Sequence, residues 1–168
     1  MNEPQAEIER VRTELLGADP EGTRFSLALR RAYDQIYDHR NTGRFRWDDL
    51  HKTEKMYFGS FVEISLQKEF SFEDGVDLDV RIAGVDVACM WSQTNDEWKL
   101  PPAVIGHICL LVKGSNERPV WSAGLIRAEE PLLNIPAKPV ASKTLNASGH
   151  AAIHWIWKSV RLPESVLS

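Results

Sequence analysis

Apolar residues repeat at helical spacing through the first 70 residues of this chain. Their recurrence at every third and fourth position predicts helices over residues 4–16, 24–38 and about 53–70. Between the last two, the segment 39–44 reads His-Arg-Asn-Thr-Gly-Arg and interrupts the apolar pattern. This basic, glycine-containing segment is either a loop that reaches into a DNA groove or a plain connector.

Short runs rich in β-branched residues replace the helical pattern in the middle of the chain. Residues 76–82 and 85–91 are typical of two strands joined by an Ala-Gly turn, which predicts a hairpin. The apolar run 104–112 predicts a central strand buried on both faces. Residues 120–128 predict a further strand beside it.

The end of the chain returns to helical spacing. A last helix is predicted over residues 149–161, with one apolar side made of Ile153, Ile156, Trp157 and Val160. Together the predicted elements favour an α/β fold, in which a mixed central β-sheet is flanked by helices.

Composition is that of an ordinary globular protein. With 168 residues, 43% of them hydrophobic and 26% charged, a single domain spanning 1–168 is expected. The formal net charge of −4 is not that of a protein dominated by nucleic-acid binding. Basic residues nevertheless outnumber acids between residues 24 and 55, through Arg24, Arg30, Arg31, Arg40, Arg44, Arg46, Lys52 and Lys55. This stretch either meets phosphates or forms a solvated helix surface.

The two cysteines and the lack of targeting segments indicate the cellular environment that is expected for this protein. Cys89 and Cys109 lie in apolar strand-like segments, which predicts buried thiols rather than a disulfide. The sequence contains no signal peptide and no apolar run of membrane length. A cytoplasmic protein with no membrane partner is therefore expected.

The candidate catalytic residues are acidic side chains around the predicted hairpin. Period-two alternation places Asp86, Ala88 and Met90 on one face of the second strand, and Asp79 on the first strand can converge with that face. Glu63 lies on the preceding helix. One carboxylate on a helix, one on a strand and an acid-x-Lys on the next strand make a Mg²⁺-dependent nuclease site. Here the acid-x-Lys position reads Ala88-Cys89-Met90.

From Asp48 to Arg127 the sequence resembles the catalytic domain of the NaeI type II restriction endonuclease family, a branch of the PD-(D/E)XK nucleases. The segments that carry the resemblance are LHKTEK (50–55), VEISLQKEF (62–70), DGVDLDVRIAGVDV (74–87), WKLPPAVIGHICLLV (98–112) and VWSAGLIR (120–127). The resemblance implies a restriction-endonuclease-like core. It also implies that Glu63 and Asp79 match two metal-binding acids, while the third acid falls on Ala88 and the catalytic lysine on Met90.

The resemblance also implies partners and a cofactor. Members of the family bind double-stranded DNA as homodimers, so we expect a homodimer or pairing with a related nuclease subunit, and Mg²⁺ only if the site is active. Their second DNA-binding domain is expected to be absent from this chain. Candidate DNA-binding residues are Arg40, Arg44, Arg46, Lys52 and Lys55.

Three functional hypotheses follow. The first is a DNA-binding domain that has lost most or all cleavage because Ala88 and Met90 replace the acid and the lysine. The second is an active Mg²⁺-dependent endonuclease in which Asp86 and Lys99 (or Lys55) act as migrated groups. The third is an interaction or regulatory subunit built on a nuclease fold, which the acidic net charge favours.

Overall fold

A computed structural model describes residues 2–93, 96–138 and 141–165. Its α-helices are α1 (Glu3–Ala18), α2 (Thr23–Tyr37), α3 (His39–Thr42), α4 (Lys52–Phe70) and α5 (Ala147–Ala151). Its strands are β1 (Glu73–Asp74), β2 (Val80–Ile82), β3 (Val85–Gln93), β4 (Ile108–Ser115), β5 (Val120–Arg127) and β6 (His154–Arg161). The three helices predicted near the start are confirmed, and so are the strands at β3, β4 and β5.

The described strands form one mixed sheet in the order β1-β2-β3-β4-β5-β6. β3 and β4 are parallel, with Ala88 beside Cys109 and Met90 beside Leu111, and every other neighbouring pair is antiparallel. β4 is the central strand and is buried along almost its whole length, as predicted. The mixed sheet with helices confirms the α/β class, a restriction-endonuclease-like core.

Each face of the sheet is covered by a separate apolar core. Helices α1, α2 and α4 cover one face, and the core there, which we call the helical-face core, includes Phe25, Tyr33, Phe58, Val62, Leu66, Val80, Val87, Leu110 and Trp121. The other face is covered mainly by irregular segments. Its loop-face core comprises Ala88, Trp98, Leu100, Val104, Cys109, Leu111, Ile126, Ala128, Leu133, Leu145 and Ile153.

The helix predicted over residues 149–161 is wrong. The chain forms the short α5 and then the strand β6, which pairs with β5. A β-bulge sets Ala123 opposite Trp157 and Gly124 opposite Trp155, so one extra residue of β6 lies between them. The bulge places Ile156 and Trp157 in the same core and thereby imitates helical spacing. Gly124 permits the pairing, because a Cβ there would lie 2.6 Å from Ile153 Cγ2.

The first strand of the predicted hairpin is shorter than expected. Only Val80–Ile82 pairs with β3, and residues 75–79 form a tight turn before it. Gly75 is required in this turn, since a Cβ there would lie 2.0 Å from the Leu78 carbonyl oxygen. No helix in the described part of the chain is long and apolar enough to cross a membrane.

Candidate active site

Glu63 and Asp79 converge beside β3. Glu63 projects from α4 and is half-buried, while Asp79 directly precedes β2. The pairing of Val80 with Val87 places Asp79 opposite Ala88 when it is continued by one residue. Asp79 Oδ2 accepts a hydrogen bond of 2.8 Å from the backbone N–H of Cys89. Burial raises the pKa of Glu63, and the negative charge of Asp79 raises it further.

The turn that carries Asp79 is held by Asp86. Its two carboxylate oxygens accept hydrogen bonds from the backbone N–H groups of Val76, at 2.9 Å, and Asp77, at 2.8 Å. The bond from Asp77 is the main cause that lowers the pKa of Asp86 below its ordinary value. Asp86 therefore stays charged and orients the turn that places Asp79 against β3.

Ala88 and Met90 present apolar groups where the sequence pattern called for an acid and a lysine. Ala88 is 1% exposed and belongs to the loop-face core, together with Trp98 and Leu100. Met90 is half-buried and packs against the same core. Asp86, Ala88 and Met90 do share a face of β3, as the alternation predicted, but this face is filled by apolar side chains.

Cys89 packs on the face of β3 opposite to Ala88, against the helical-face core. Burial raises the pKa of its thiol, and the charges of Asp79 and Glu63 raise it further. Cys109 belongs to the loop-face core, and burial raises its pKa to about 12. Both thiols are free, and of the two predicted buried cysteines Cys109 is buried while Cys89 is half-buried. Within residues 2–93, 96–138 and 141–165, no three or more His, Cys, Asp or Glu side chains are placed to hold a metal ion.

Comparison with known proteins shows which family this chain is similar to. The family described as "Restriction endonuclease NaeI" matches residues 9–168. The chain belongs to the NaeI restriction endonuclease family. It is 42% identical over 155 residues to the type II restriction enzyme NaeI of Lentzea aerocolonigenes, which covers 92% of this chain and 49% of that enzyme. The chain thus spans about half the length of this NaeI relative, and the resemblance seen in the sequence is confirmed.

The two lysines considered as migrated groups in this NaeI-family chain lie in different places. Lys99 is exposed and follows the buried Trp98. Lys55 is half-buried on α4 and precedes Glu63 by eight residues, about 12 Å along the helix axis. Their catalytic use stays a prediction.

The candidate DNA-binding residues divide into exposed and internally engaged side chains. Arg40, Arg46 and Lys52 are exposed. Arg44 instead forms a two-pronged ion pair with Glu54, at 2.6 and 2.9 Å, and donates to the carbonyl of Ile36. This pair holds the pKa of Glu54 at about 2. Arg44 therefore ties the 39–44 segment to α2 and α4.

The structure also contains two cavities that the sequence pattern did not predict. The first lies beside the basic segment, and the second lies where β3 and β4 end. One has a volume of about 480 Å³, with Arg44 and Phe45 in its wall. The other has a volume of about 660 Å³ and includes Gln93 and Lys113 at the ends of β3 and β4. They form because the β4–β5 turn meets the segment after α3, a contact between residues distant in sequence.

Proposed function

We propose that this NaeI-family chain is a DNA-binding, restriction-endonuclease-like domain with a PD-(D/E)XK core whose phosphodiester cleavage is lost or strongly weakened. The observation that supports this most is the apolar pair Ala88 and Met90 on β3, packed into the loop-face core beside Asp79. No carboxylate at position 88 completes the acidic set, and no ammonium at position 90 stabilises charge on the phosphate. Removing one such charge-stabilising donor from an enzyme costs about 10²–10³ in rate.

The remaining acids fit Mg²⁺ only in part. Glu63 and Asp79 would hold the ion, because Mg²⁺ binds through one or two carboxylates and keeps several waters. When bound, Mg²⁺ would polarise the phosphoryl oxygen and lower the pKa of a water nucleophile. Asp79 Oδ2 accepts a hydrogen bond from the Cys89 N–H, and Asp79 Oδ1 is left for the metal. Weak metal binding is therefore expected.

Double-stranded DNA is the proposed partner. The exposed Arg40, Arg46 and Lys52 offer sequence-independent phosphate contacts, while the net charge of −4 favours modest affinity. The chain would act as a homodimer or pair with a related nuclease subunit. Binding carried by a few phosphate contacts weakens steeply as salt is raised.

The deciding experiment is cleavage of supercoiled plasmid by the purified chain, with Mg²⁺ and separately with Mn²⁺, beside a Glu63→Ala control. We expect no cleavage, together with salt-dependent binding to a short duplex. Metal-dependent nicking that disappears in Glu63→Ala would overturn the proposed inactivity. Absence of duplex binding at low salt would overturn the DNA-binding role and favour an interaction subunit, the third hypothesis.

A second candidate function is active cleavage with Asp86 and Lys99 as migrated groups. The position of Asp86 favours it, since this carboxylate lies on the same face of β3 as Ala88 and one pleat away. Asp86 already accepts hydrogen bonds from two backbone N–H groups, which counts against a catalytic role for this carboxylate. Under this alternative, the wild-type chain nicks plasmid and Lys99→Ala abolishes the nicking, whereas an unchanged rate in Lys99→Ala rules out this lysine.

A further inference from the structure

The cavity of about 480 Å³ beside the basic segment is enclosed by four separate parts of the chain. They are the second half of α2, the segment around α3, the turn between β4 and β5, and the residues that follow β6. Arg30 is 7% exposed and joins three of these parts, since its guanidinium donates to Asp34, to Asn116 Oδ1 at 2.5 Å and to the Pro163 carbonyl at 3.4 Å. The volume lies in the range of pockets that bind small molecules, and a buried hydrogen-bond network sets its shape.

The two arginines in the wall of this cavity are each matched by a carboxylate. Arg30 pairs with Asp34 at 3.0 Å, and Arg44 pairs with Glu54 at 2.6 Å. Arg46 is exposed on the neighbouring segment but does not line the cavity. The arginines of the wall therefore contribute no net positive charge that would favour an anion.

Two further carboxylates of the wall, those of Glu117 and Glu164, lack such partners. Neither forms an ion pair with any residue that the structure describes. Glu117 Oε1 accepts the backbone N–H of Trp47 at 2.7 Å, which holds this carboxylate in place and leaves Oε2 for a ligand. Uncompensated carboxylates in a cleft attract a cation and repel a phosphate.

Aromatic rings also line the cavity. Phe45 is 39% exposed, and its ring lies on that of His39, with 3.5 Å between the ring centroids. The face of an aromatic ring attracts ammonium and guanidinium groups through its negative electrostatic potential. Aromatic rings beside carboxylates therefore suit an organic cation better than a metal ion such as Mg²⁺ or Ca²⁺, which takes oxygen ligands.

Tyr37 adds a polar group that has no partner inside the protein. Its side chain lines the cavity, and its buried hydroxyl forms no hydrogen bond. Asn116 lies near this hydroxyl, but its carboxamide accepts from Arg30 and donates to the Phe45 carbonyl at 3.2 Å. Burial raises the pKa of Tyr37 and the charge of Glu117 raises it further, so the hydroxyl stays protonated with a carboxylate close by. A ligand that donates to the hydroxyl oxygen would satisfy a group that is costly to leave unpaired.

We propose that this cavity binds an organic cation whose head is a guanidinium or an ammonium group. The head pairs with Glu117 Oε2, lies against the ring of Phe45 and donates one N–H to the Tyr37 hydroxyl. Such heads occur in free diamines and polyamines and in the arginine and lysine side chains of proteins. The site goes beyond the proposed DNA binding, because its carboxylates exclude DNA phosphates from the cavity.

Calorimetric titration of the purified chain with agmatine, which carries both a guanidinium and an ammonium group, tests the proposal. We expect saturable binding to one site that weakens as salt is raised. Glu117→Gln should weaken this binding by about tenfold or more, because it removes the charge while its carbonyl oxygen still accepts the Trp47 N–H. Glu21→Gln is the matched control, since Glu21 is exposed just before the start of α2, at the opposite end of that helix from the cavity. It should leave the affinity unchanged.

A second variant and a second probe make the assignment specific. Tyr37→Phe should weaken agmatine binding several-fold without lowering the melting temperature, because the hydroxyl has no hydrogen bond to lose. Titration with N-acetyl-arginine methylamide separates the two sources of the cation. Comparable binding of this capped arginine assigns the cavity to a side chain of another protein, whereas binding of agmatine alone assigns it to a free amine.

The proposal fails if the wild-type chain binds neither probe. Equal affinities of the wild-type chain and Glu117→Gln for agmatine would overturn it as well, since the cation would then bind elsewhere on the acidic surface. Binding of AMP in place of agmatine would show an anion site and would also overturn it. Neither probe contains DNA, so these outcomes are independent of whether the chain binds a duplex.

Discussion

Restoring both missing groups, by Ala88→Asp together with Met90→Lys, should destabilise this domain when metal is absent. Ala88 is 1% exposed and belongs to the loop-face core with Trp98 and Leu100. The apolar side chains of this core do not stabilise a negative charge. The introduced carboxylate would also face Asp79 across the β2–β3 pairing. A carboxylate buried beside another carboxylate raises its own pKa rather than staying fully ionised, and the ammonium introduced by Met90→Lys, one pleat away, offsets this only in part.

The size of the effect follows from that pKa shift. A rise of about two units costs roughly 2.7 kcal/mol at neutral pH, since one unit corresponds to about 1.4 kcal/mol. For a domain of this length, each kcal/mol lowers the melting temperature by about 2–4 °C, so a fall of roughly 5–11 °C is expected. The loss should shrink in acid, because below the ordinary carboxyl pKa the introduced group is protonated in both the folded and the unfolded chain.

Mg²⁺ should reverse part of this loss by joining the introduced carboxylate to Glu63 and Asp79. Free Mg²⁺ at about ten times its dissociation constant would return roughly 1.4 kcal/mol. Thermal melts of the double variant with EDTA and with millimolar Mg²⁺ measure both effects. Ala88→Asn with Met90→Lys is the matched control, since it has the same shape without the negative charge. An unchanged melting temperature in both conditions would refute the reasoning. An equal loss of stability in the control would show that the size of the new side chain, and not its charge, causes the loss.

Three further variants test the other contacts at the site. Asp86→Asn should cost about 1–2 kcal/mol at neutral pH. Because the pKa of Asp86 is lowered in the fold, the difference from wild type should fade as pH drops through that pKa, which urea unfolding at several pH values would show. Glu63→Gln should stabilise the chain at neutral pH and not in acid, since the pKa of Glu63 is raised; equal melts at neutral pH would contradict this. Arg44→Ala should cost about 2 kcal/mol through its lost pair with Glu54, whereas Lys52→Ala should leave stability unchanged; similar unfolding curves for the two would count against an internal role for Arg44.

Local patterns in the sequence were sufficient for much of the fold. The long helix α4 and the buried strand β4 are confirmed because their apolar periodicity reflects contacts that every turn or pleat repeats. The same patterns failed at β6, where the bulge opposite Ala123 and Gly124 places Ile156 and Trp157 on one side and imitates a helix. A bulge depends on pairing with a distant strand, and no short window of sequence contains that information.

The sequence by itself determined the family of this protein and the two degenerate positions, since both depend only on which residue stands where in the chain. The tertiary structure decided what the neighbouring residues do. It commits Asp86 to the turn before Asp79 and Arg44 to Glu54, and it buries Ala88 in the loop-face core. These partners are set by hydrogen bonds and packing between segments brought together only when the chain folds. A charged residue in a motif-like position therefore reveals its role only once its partners in space are known.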